Sequence, residues 1–400
     1  MTALFVDCGA AQTLAALVVG DDVRHFFFLP AIDDAAGDGG AEAGDLFLGR
    51  VKTVSTAVGG AFIDIGMARD AFLPGKGARK PPVEGASIIV CVKRPALGDK
   101  GAVVTTDWTA GLAQGEEHAI RSDADGINPP RRLGSVLPPV VRLMQSLGRR
   151  LHRIVINDRR AAAELKAHAP DIPVELNADP FAEHDIAALI EESLEQTALL
   201  PGGARLIFAE TEGGCVIDVD ASVAAASVSQ RINDKVNAVA APAIFREIER
   251  RAIGGRIIVD FLPPTSERFF AALSEELNQR MRSISGARAG KLRKDGVFDF
   301  TAPKTQASLL TIASESAGDD WLRPGRRLTA DWRLKSAIFQ LETTLRRSPR
   351  ARPSLRLGRD LFAHLQSNDV WLARLSERHG ARFLIEASDR LQPRDYDLAE

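Results

Sequence analysis

Apolar and polar positions alternate in short runs at the start of the chain. "ALFVDC" (3–8) and "TLAALVVGDDVRHFFF" (13–28) read as two or three strands with a turn at Gly20-Asp21. The stretch "AIDDAAGDGGAEAGD" (31–45) reads as an acidic loop of low complexity. From about 45 to 107 strands and turns follow each other closely ("LFLGRVKTV", "GGAFIDIG", "DAFLPG", "SIIVCVKR", "GAVVTTDW"), a rhythm that predicts a small barrel. Residues 109–135 read as irregular. "RIVIND" (153–158) is then a strand, "RRAAAELKAHA" (159–169) a helix and "EHDIAALIEESLEQT" (183–197) a helix with apolar residues at helical spacing.

"ARLIFAET" and "GCVIDVD" predict a hairpin around Glu212-Gly213. Over 233–252 a stripe of Val236, Val239, Ala240, Ala243, Ile244 and Ile248 predicts an amphipathic helix, which Pro242 should kink or split and Gly254-Gly255 should end. "RIIVDF" (256–261) reads as a buried strand. Thr265 or Ser266 then caps a helix carrying Phe269, Phe270, Leu273, Leu277 and Met281. The tail from about 320 reads as a separate α+β unit. Its first helix buries Leu334, Ala337, Ile338, Leu341 and Leu345, and its strands are "SLRL" and "ARFLIEA". No internal repeat is visible.

A chain of 400 residues is too long for one core, so two to four domains are expected. The net charge of −2 excludes a chain-wide basic field and confines nucleic-acid binding to local patches. Cys8, Cys91 and Cys215 form no CxxC pair, so neither a disulfide framework nor a zinc knuckle is indicated. The N-terminus lacks a basic signal-peptide region and no apolar run is long enough to span a bilayer, so a cytoplasmic protein is expected.

The chemistry sits where two apolar runs end in acids. "CVIDVD" ends in Asp218 and Asp220, which share a strand face, and "RIIVD" ends in Asp260. If the two strands are neighbours, the three carboxylates converge at one sheet end. Clustered carboxylates repel and call for a cation, and Mg²⁺ suits one or two carboxylates completed by water and phosphate oxygens. An aspartate at a strand end also serves as a helix cap or turn residue, so the structural alternative stands beside the metal-binding one. The seven histidines make no HxH or HxxxH pair, and no GxSxG, Walker-type or GxGxxG loop occurs.

Basic residues cluster at Arg280, Arg282, Arg288, Lys291, Arg293 and Lys294, directly after the helix that follows Asp260. Further arginine-rich stretches cover 131–160 and 346–359. These are solvated faces or phosphate contacts. In the barrel segment, Phe62 and Phe72 are core residues or base-stacking platforms, with Lys93, Arg94 and Lys100 near them in sequence.

Several of these stretches resemble the ribonuclease E/G family. "LFLGRVKTVSTAVGGAFIDIGMARDAFLPGK" is similar to its OB-fold RNA-binding module, and "GDKGAVVTTDW" to the end of that module. "PGGARLIFAETEGGCVIDVDAS" is similar to its first catalytic strand, usually T-E-x-x-x-x-I-D-V-N. "VNAVAAPAIFREIERRAIGGRIIVDFLPP" is similar to the helix and second catalytic strand, and the 373–398 tail to the small C-terminal domain. The resemblance implies an α+β multidomain chain: an OB-fold barrel (41–108) inserted in an RNase H-like subdomain (1–40 and 109–175), a deoxyribonuclease-I-like catalytic subdomain (176–312) and a C-terminal domain (320–400).

The resemblance also implies a function: an endoribonuclease that cuts single-stranded RNA to 5′-phosphate and 3′-hydroxyl ends in RNA processing or decay. Asp218 and Asp260 would hold Mg²⁺, or Mn²⁺ in its place, and Asp220 stands where the family has Asn, as a ligand or its neighbour. Phe62, Phe72 and Lys100 match the family's RNA contacts, and Arg288, Lys291, Arg293 and Lys294 are further candidates for phosphate. The zinc-link CPxC is missing near 311–320, so zinc and a zinc-linked tetramer are not expected, while another homo-oligomer is open. The segment that senses a 5′-monophosphate has no visible counterpart at 109–150. Ala302 stands where the family has arginine. With Pro242, it motivates the alternative of an RNA-binding homologue with weak or no cleavage.

Overall fold

A computed structural model describes residues 1–32, 40–96, 100–109, 116–135, 137–148, 151–221, 232–284, 286–304, 306–317 and 325–399. Part of the acidic loop (33–39), Arg149 and Arg150 of the basic stretch, and residues 318–320 of the zinc-link region lie outside the described residues. The chain forms two compact units, one of residues 29–150 with 163–171 and one of 1–28, 151–162 and 172–400.

The first unit holds a closed five-stranded barrel consistent with an OB-fold. Asp45–Ser55 pairs with both Gly60–Asp64 and Ser87–Arg94, and Ala71–Pro74 and Val103–Thr105 complete the circuit. Alternate residues point inward, so Phe47, Val51, Ile63, Leu73, Val90, Val92 and Val104 fill the interior. Residues 109–135 are less irregular than their composition implies. They hold a helix, Glu116–Ala124, and a strand, Arg131–Ser135, laid on Asp45–Ser55. The helix sequence "EEHAIRSDA" is polar nearly all round, so no apolar stripe announces it.

The second unit is built on two larger sheets. One has the order Val174–Leu176, Arg153–Ile156, Thr2–Cys8, Thr13–Val19, Asp22–Leu29, with the first three strands parallel. The other runs Thr197–Leu199, Arg205–Thr211, Gly214–Asp220, Gly255–Asp260, Val297–Ala302, Arg288–Leu292. On one face of this six-stranded sheet Leu206, Phe208, Ile217, Val219, Ile257, Val259, Phe298 and Phe300 are buried, in a core shared with the helices Ile232–Arg250 and Glu267–Ser283. Ser266 caps the second helix by accepting from the Phe269 N–H.

Pro242 does not split its helix, which runs unbroken from Ile232 to Arg250. Proline removes one backbone hydrogen bond. Burial of Ala240, Ala241, Ala243, Ile244, Phe245 and Ile248 against the sheet holds the helix together across the gap. The helix expected over 183–197 is shorter, Ile186–Glu192, because Asp185 adopts a left-handed φ of 48° before it and Thr197 already starts a strand. The C-terminal segment carries the helix Ala330–Arg347 over a three-stranded sheet, and Ala10 and Ala11 share its core. Among the described residues no helix is long and apolar enough to cross a membrane.

Candidate metal centre and nucleic-acid surfaces

The Gly214–Asp220 strand has strict period-2 burial. Cys215, Ile217 and Val219 are buried, while Val216 and Asp218 are exposed and Asp220 is half-buried. Gly255–Asp260 follows the same rule, with Ile257 and Val259 buried and Asp260 exposed. The two strands pair in parallel, and Asp218 is the register partner of Asp260. Register partners on neighbouring strands sit roughly 5 Å apart at Cα with side chains on the same face. Both carboxylates therefore stand side by side at the carboxyl ends of their strands, on the face away from the core.

The electrostatics follow from that closeness. The Asp218 carboxyl is raised above its ordinary value, first by loss of water around it, then by the charges of Asp260 and Asp220, with the Arg205 guanidinium pulling the other way. Strand residues on the open face include four carboxylates, of Asp218, Asp220, Asp260 and Asp299. Arg205 Nε donates to Asp220 Oδ2 at 2.7 Å, and Arg256 stands 3.8 Å from Asp299. Among the described residues, no base forms an ion pair with Asp218 or Asp260.

The loop after Asp260 is fixed from two sides. On one side, the Phe261 N–H donates to the carbonyl of Gly296, in the turn that leads into Val297, the register partner of Asp260. On the other, Asn237 Nδ2 donates to the Leu262 carbonyl at 2.7 Å and Asn233 Nδ2 to the Pro263 carbonyl at 3.1 Å. Asp234 accepts from the Thr265 N–H at 3.0 Å and from its hydroxyl. Asp234 and Asn237 are buried, and sequence reading passed over them because they look like breaks in an apolar stripe. Arg205 was missed as well, although the hairpin reveals it: Arg205 and Asp220 are equidistant from the Glu212-Gly213 turn.

The donor set fits a hard divalent cation. It offers two carboxylates and no thiol or imidazole, which suits Mg²⁺ or Mn²⁺ better than zinc. Among the described residues no three His, Cys, Asp or Glu side chains form a metal cluster, so the remaining ligands of such an ion would be water and phosphate.

The four basic candidates do not all lie at the acidic end of the sheet. Arg288 pairs with Thr301, which pairs with Arg256, four residues before Asp260 and hence at the opposite end of the sheet. Lys291 is exposed at a bulge of the same edge strand. Arg293 and Lys294 lie in the turn at the acidic end, each with its own carboxylate, Asp295 at 3.1 Å and Glu267 at 3.1 Å.

In the barrel unit, Phe62 and Phe72 are register partners with ring centroids 5.6 Å apart. Each lies between two buried residues of its strand and is itself only half-buried, so the pair faces outward. Gly60 makes room for it, because a Cβ there would meet the Phe72 ring at 2.7 Å. Lys100, Lys93 and Arg94 are exposed.

Residues 91–287 match the model of the Ribonuclease E/G family, a span containing Asp218, Asp220 and Asp260. Over that span, just under half of its length, the chain is similar to the family. Ribonuclease G of Haemophilus influenzae is 23% identical over 351 residues, covering 64% of this chain and 70% of that protein. Ribonuclease E of Nostoc sp. is 27% identical over 249 residues, 58% of this chain and 36% of that protein. A chloroplastic ribonuclease E/G-like protein of Arabidopsis thaliana is 29% identical over 139 residues, 34% of this chain and 14% of that protein. The chain thus spans most of the ribonuclease G it matches and well under half of the other two. Kinship supports a ribonuclease role in RNA processing or decay.

Proposed function

We propose that the protein is a metal-dependent endoribonuclease that hydrolyses single-stranded RNA to 5′-phosphate and 3′-hydroxyl ends. The observation that carries this reading is the register pairing of Asp218 with Asp260, two carboxylates on an open sheet face that form no ion pair with a base among the described residues. Asp218 and Asp260 would hold Mg²⁺ or Mn²⁺. Such an ion supplies electrostatic stabilisation to a phosphate under attack and makes water more acidic. The two aspartates fix where that charge sits, and the 260–265 loop, held by Asp234 and Asn237, keeps Asp260 at its station.

The Phe62 and Phe72 rings offer two faces for unstacked bases, and Lys100 offers a positive charge to the backbone. We read the barrel as the RNA-binding domain, the sheet containing Thr2–Cys8 as the RNase H-like part, and the sheet containing both acids as the deoxyribonuclease-I-like catalytic part.

The test is cleavage of a 5′-labelled single-stranded RNA oligonucleotide by wild type, Asp218→Asn and Asp260→Asn in Mg²⁺ and in EDTA. The reading expects Mg²⁺-dependent products with 5′-phosphate ends and a loss of at least about a hundredfold in each variant. Equal cleavage by all three proteins, or cleavage in EDTA, overturns it. RNA binding without any cleavage by wild type would instead make the protein an RNA-binding homologue.

A further inference from the structure

The open face of the six-stranded sheet has its side chains sorted into rows of register partners. Asp218 and Asp260 form one row, at the carboxyl ends of their parallel strands. Four residues before Asp260, Arg256 pairs with Thr301, and Thr301 with Arg288. Cross-strand partners share a face. All three are exposed, the Arg256 side chain to 65%. Between the two rows lies an uncharged strip, in which Ala209 is the partner of Val216 and Val216 of Ile258. Val216 is 42% exposed and Ile258 half-buried. Asp299 continues this strip beyond Ile258 and stands 3.8 Å from the Arg256 guanidinium. An ion pair that long, between side chains that open to water, holds an arginine weakly.

The spacing of the rows fits a single strand of RNA. Four residues of β-strand cover about 13 Å. Six bonds separate one phosphorus from the next, twice the number in a peptide repeat, so an extended strand advances roughly 7 Å per nucleotide. The arginine row therefore stands two phosphates away from the acid row. The two rows also suit one ligand electrostatically. A phosphate reaches paired carboxylates only through a cation, whereas guanidinium groups hold one directly by charge-assisted hydrogen bonds. We propose that Arg256 and Arg288, with the Thr301 hydroxyl between them, bind the second phosphodiester from the scissile one. The RNA then runs along the Gly255–Asp260 strand, with the apolar strip of Val216 and Ile258 under the sugar and base in between. This rests on the endoribonuclease reading above and adds the path of its substrate.

The experiment is cleavage, by the full-length protein in Mg²⁺, of a single-stranded RNA oligonucleotide with one mapped cut. The second phosphodiester on either side of the cut is made ordinary or as an uncharged methylphosphonate, with that nucleotide 2′-deoxy in both substrates. Wild type should lose roughly five- to tenfold in kcat/KM with the neutral linkage on one side of the cut and little with it on the other, the effect of two exposed ion pairs. Arg256→Ala and Arg288→Ala should each lose roughly two- to fivefold on the ordinary RNA, through KM rather than kcat. The double variant should cut the ordinary and the neutral substrate within about twofold of each other. A structural defect would lower cleavage of both substrates alike and keep the wild-type difference between them. That result in the double variant, or equal cleavage of all the substrates by wild type, overturns the proposal and leaves the endoribonuclease reading intact. If wild type cuts none of the substrates, that reading fails and the proposal with it.

Discussion

Asp218 and Asp260 are register partners across two parallel strands, so that two carboxylates face solvent side by side at the end of a buried sheet. Two like charges held together destabilise the metal-free protein and should be relieved by neutralising either one. Asp260→Asn is expected to unfold at slightly higher urea than wild type in EDTA, by a few tenths of a kcal/mol at most for groups this exposed. Adding millimolar Mg²⁺ should stabilise wild type and leave Asp260→Asn unchanged, because an ion that binds only the folded state stabilises it. Urea denaturation with and without Mg²⁺ checks both signs. A Mg²⁺ response in the variant equal to that of wild type would contradict the assignment.

The turn at Gly296 gives a backbone test of the same site. Gly296 has φ +99°, and a Cβ there would overlap the carbonyl oxygen of Phe261, the residue next to Asp260. Gly296→Ala is therefore expected to cost more than about 1 kcal/mol, from strain and the clash together. It should also lower cleavage by displacing the 260–262 backbone, whereas Gly202→Ala, with φ +87° and open space around it, carries only the strain. Denaturation and cleavage measured on the two variants separate these effects.

Strict alternation made the buried strands legible, and the acid at the end of each marked the site. What was hidden depended on pairings rather than on patterns. Arg288 seemed close to the acids because it follows their helix in sequence, yet antiparallel pairing through Thr301 carries it to the far end of the sheet. The helix Glu116–Ala124 has no apolar stripe and left no trace. Pro242 read as a helix break because propensity counts local hydrogen bonds, whereas buried neighbours on the sheet side decide the outcome.

The barrel separates stacking from charge. Phe62→Ala and Phe72→Ala should each weaken single-stranded RNA binding by roughly 1–3 kcal/mol at any salt concentration, since a base stacks on a ring without releasing ions. Lys100→Ala should weaken binding mainly at low salt and reduce the slope of log affinity against log salt by about 0.7, the value for one phosphate contact on a single strand. Fluorescence anisotropy of an RNA oligonucleotide over a salt series distinguishes them. A change of slope in the phenylalanine variants would count against stacking.

Asp7 gives a pH dependence opposite to the usual one for a carboxylate. Burial raises its carboxyl from 3.8 to about 6, outweighing the Arg346 guanidinium that donates to it at 2.7 Å. In the unfolded chain the group returns to its ordinary value, so between about pH 6 and pH 4 the folded protein binds a proton that the unfolded one does not. Stability from this residue therefore rises as the pH falls through 6. Compared with Asp7→Asn, wild type should gain about 1–1.5 kcal/mol between pH 7.5 and pH 5, the linkage value for a shift of this size. Urea denaturation of both proteins at the two pH values measures the gain. Were the Arg346 ion pair to dominate instead, the carboxyl would sit below its ordinary value and wild type would lose ground to Asp7→Asn only as the pH fell through 4, with no gain at pH 5.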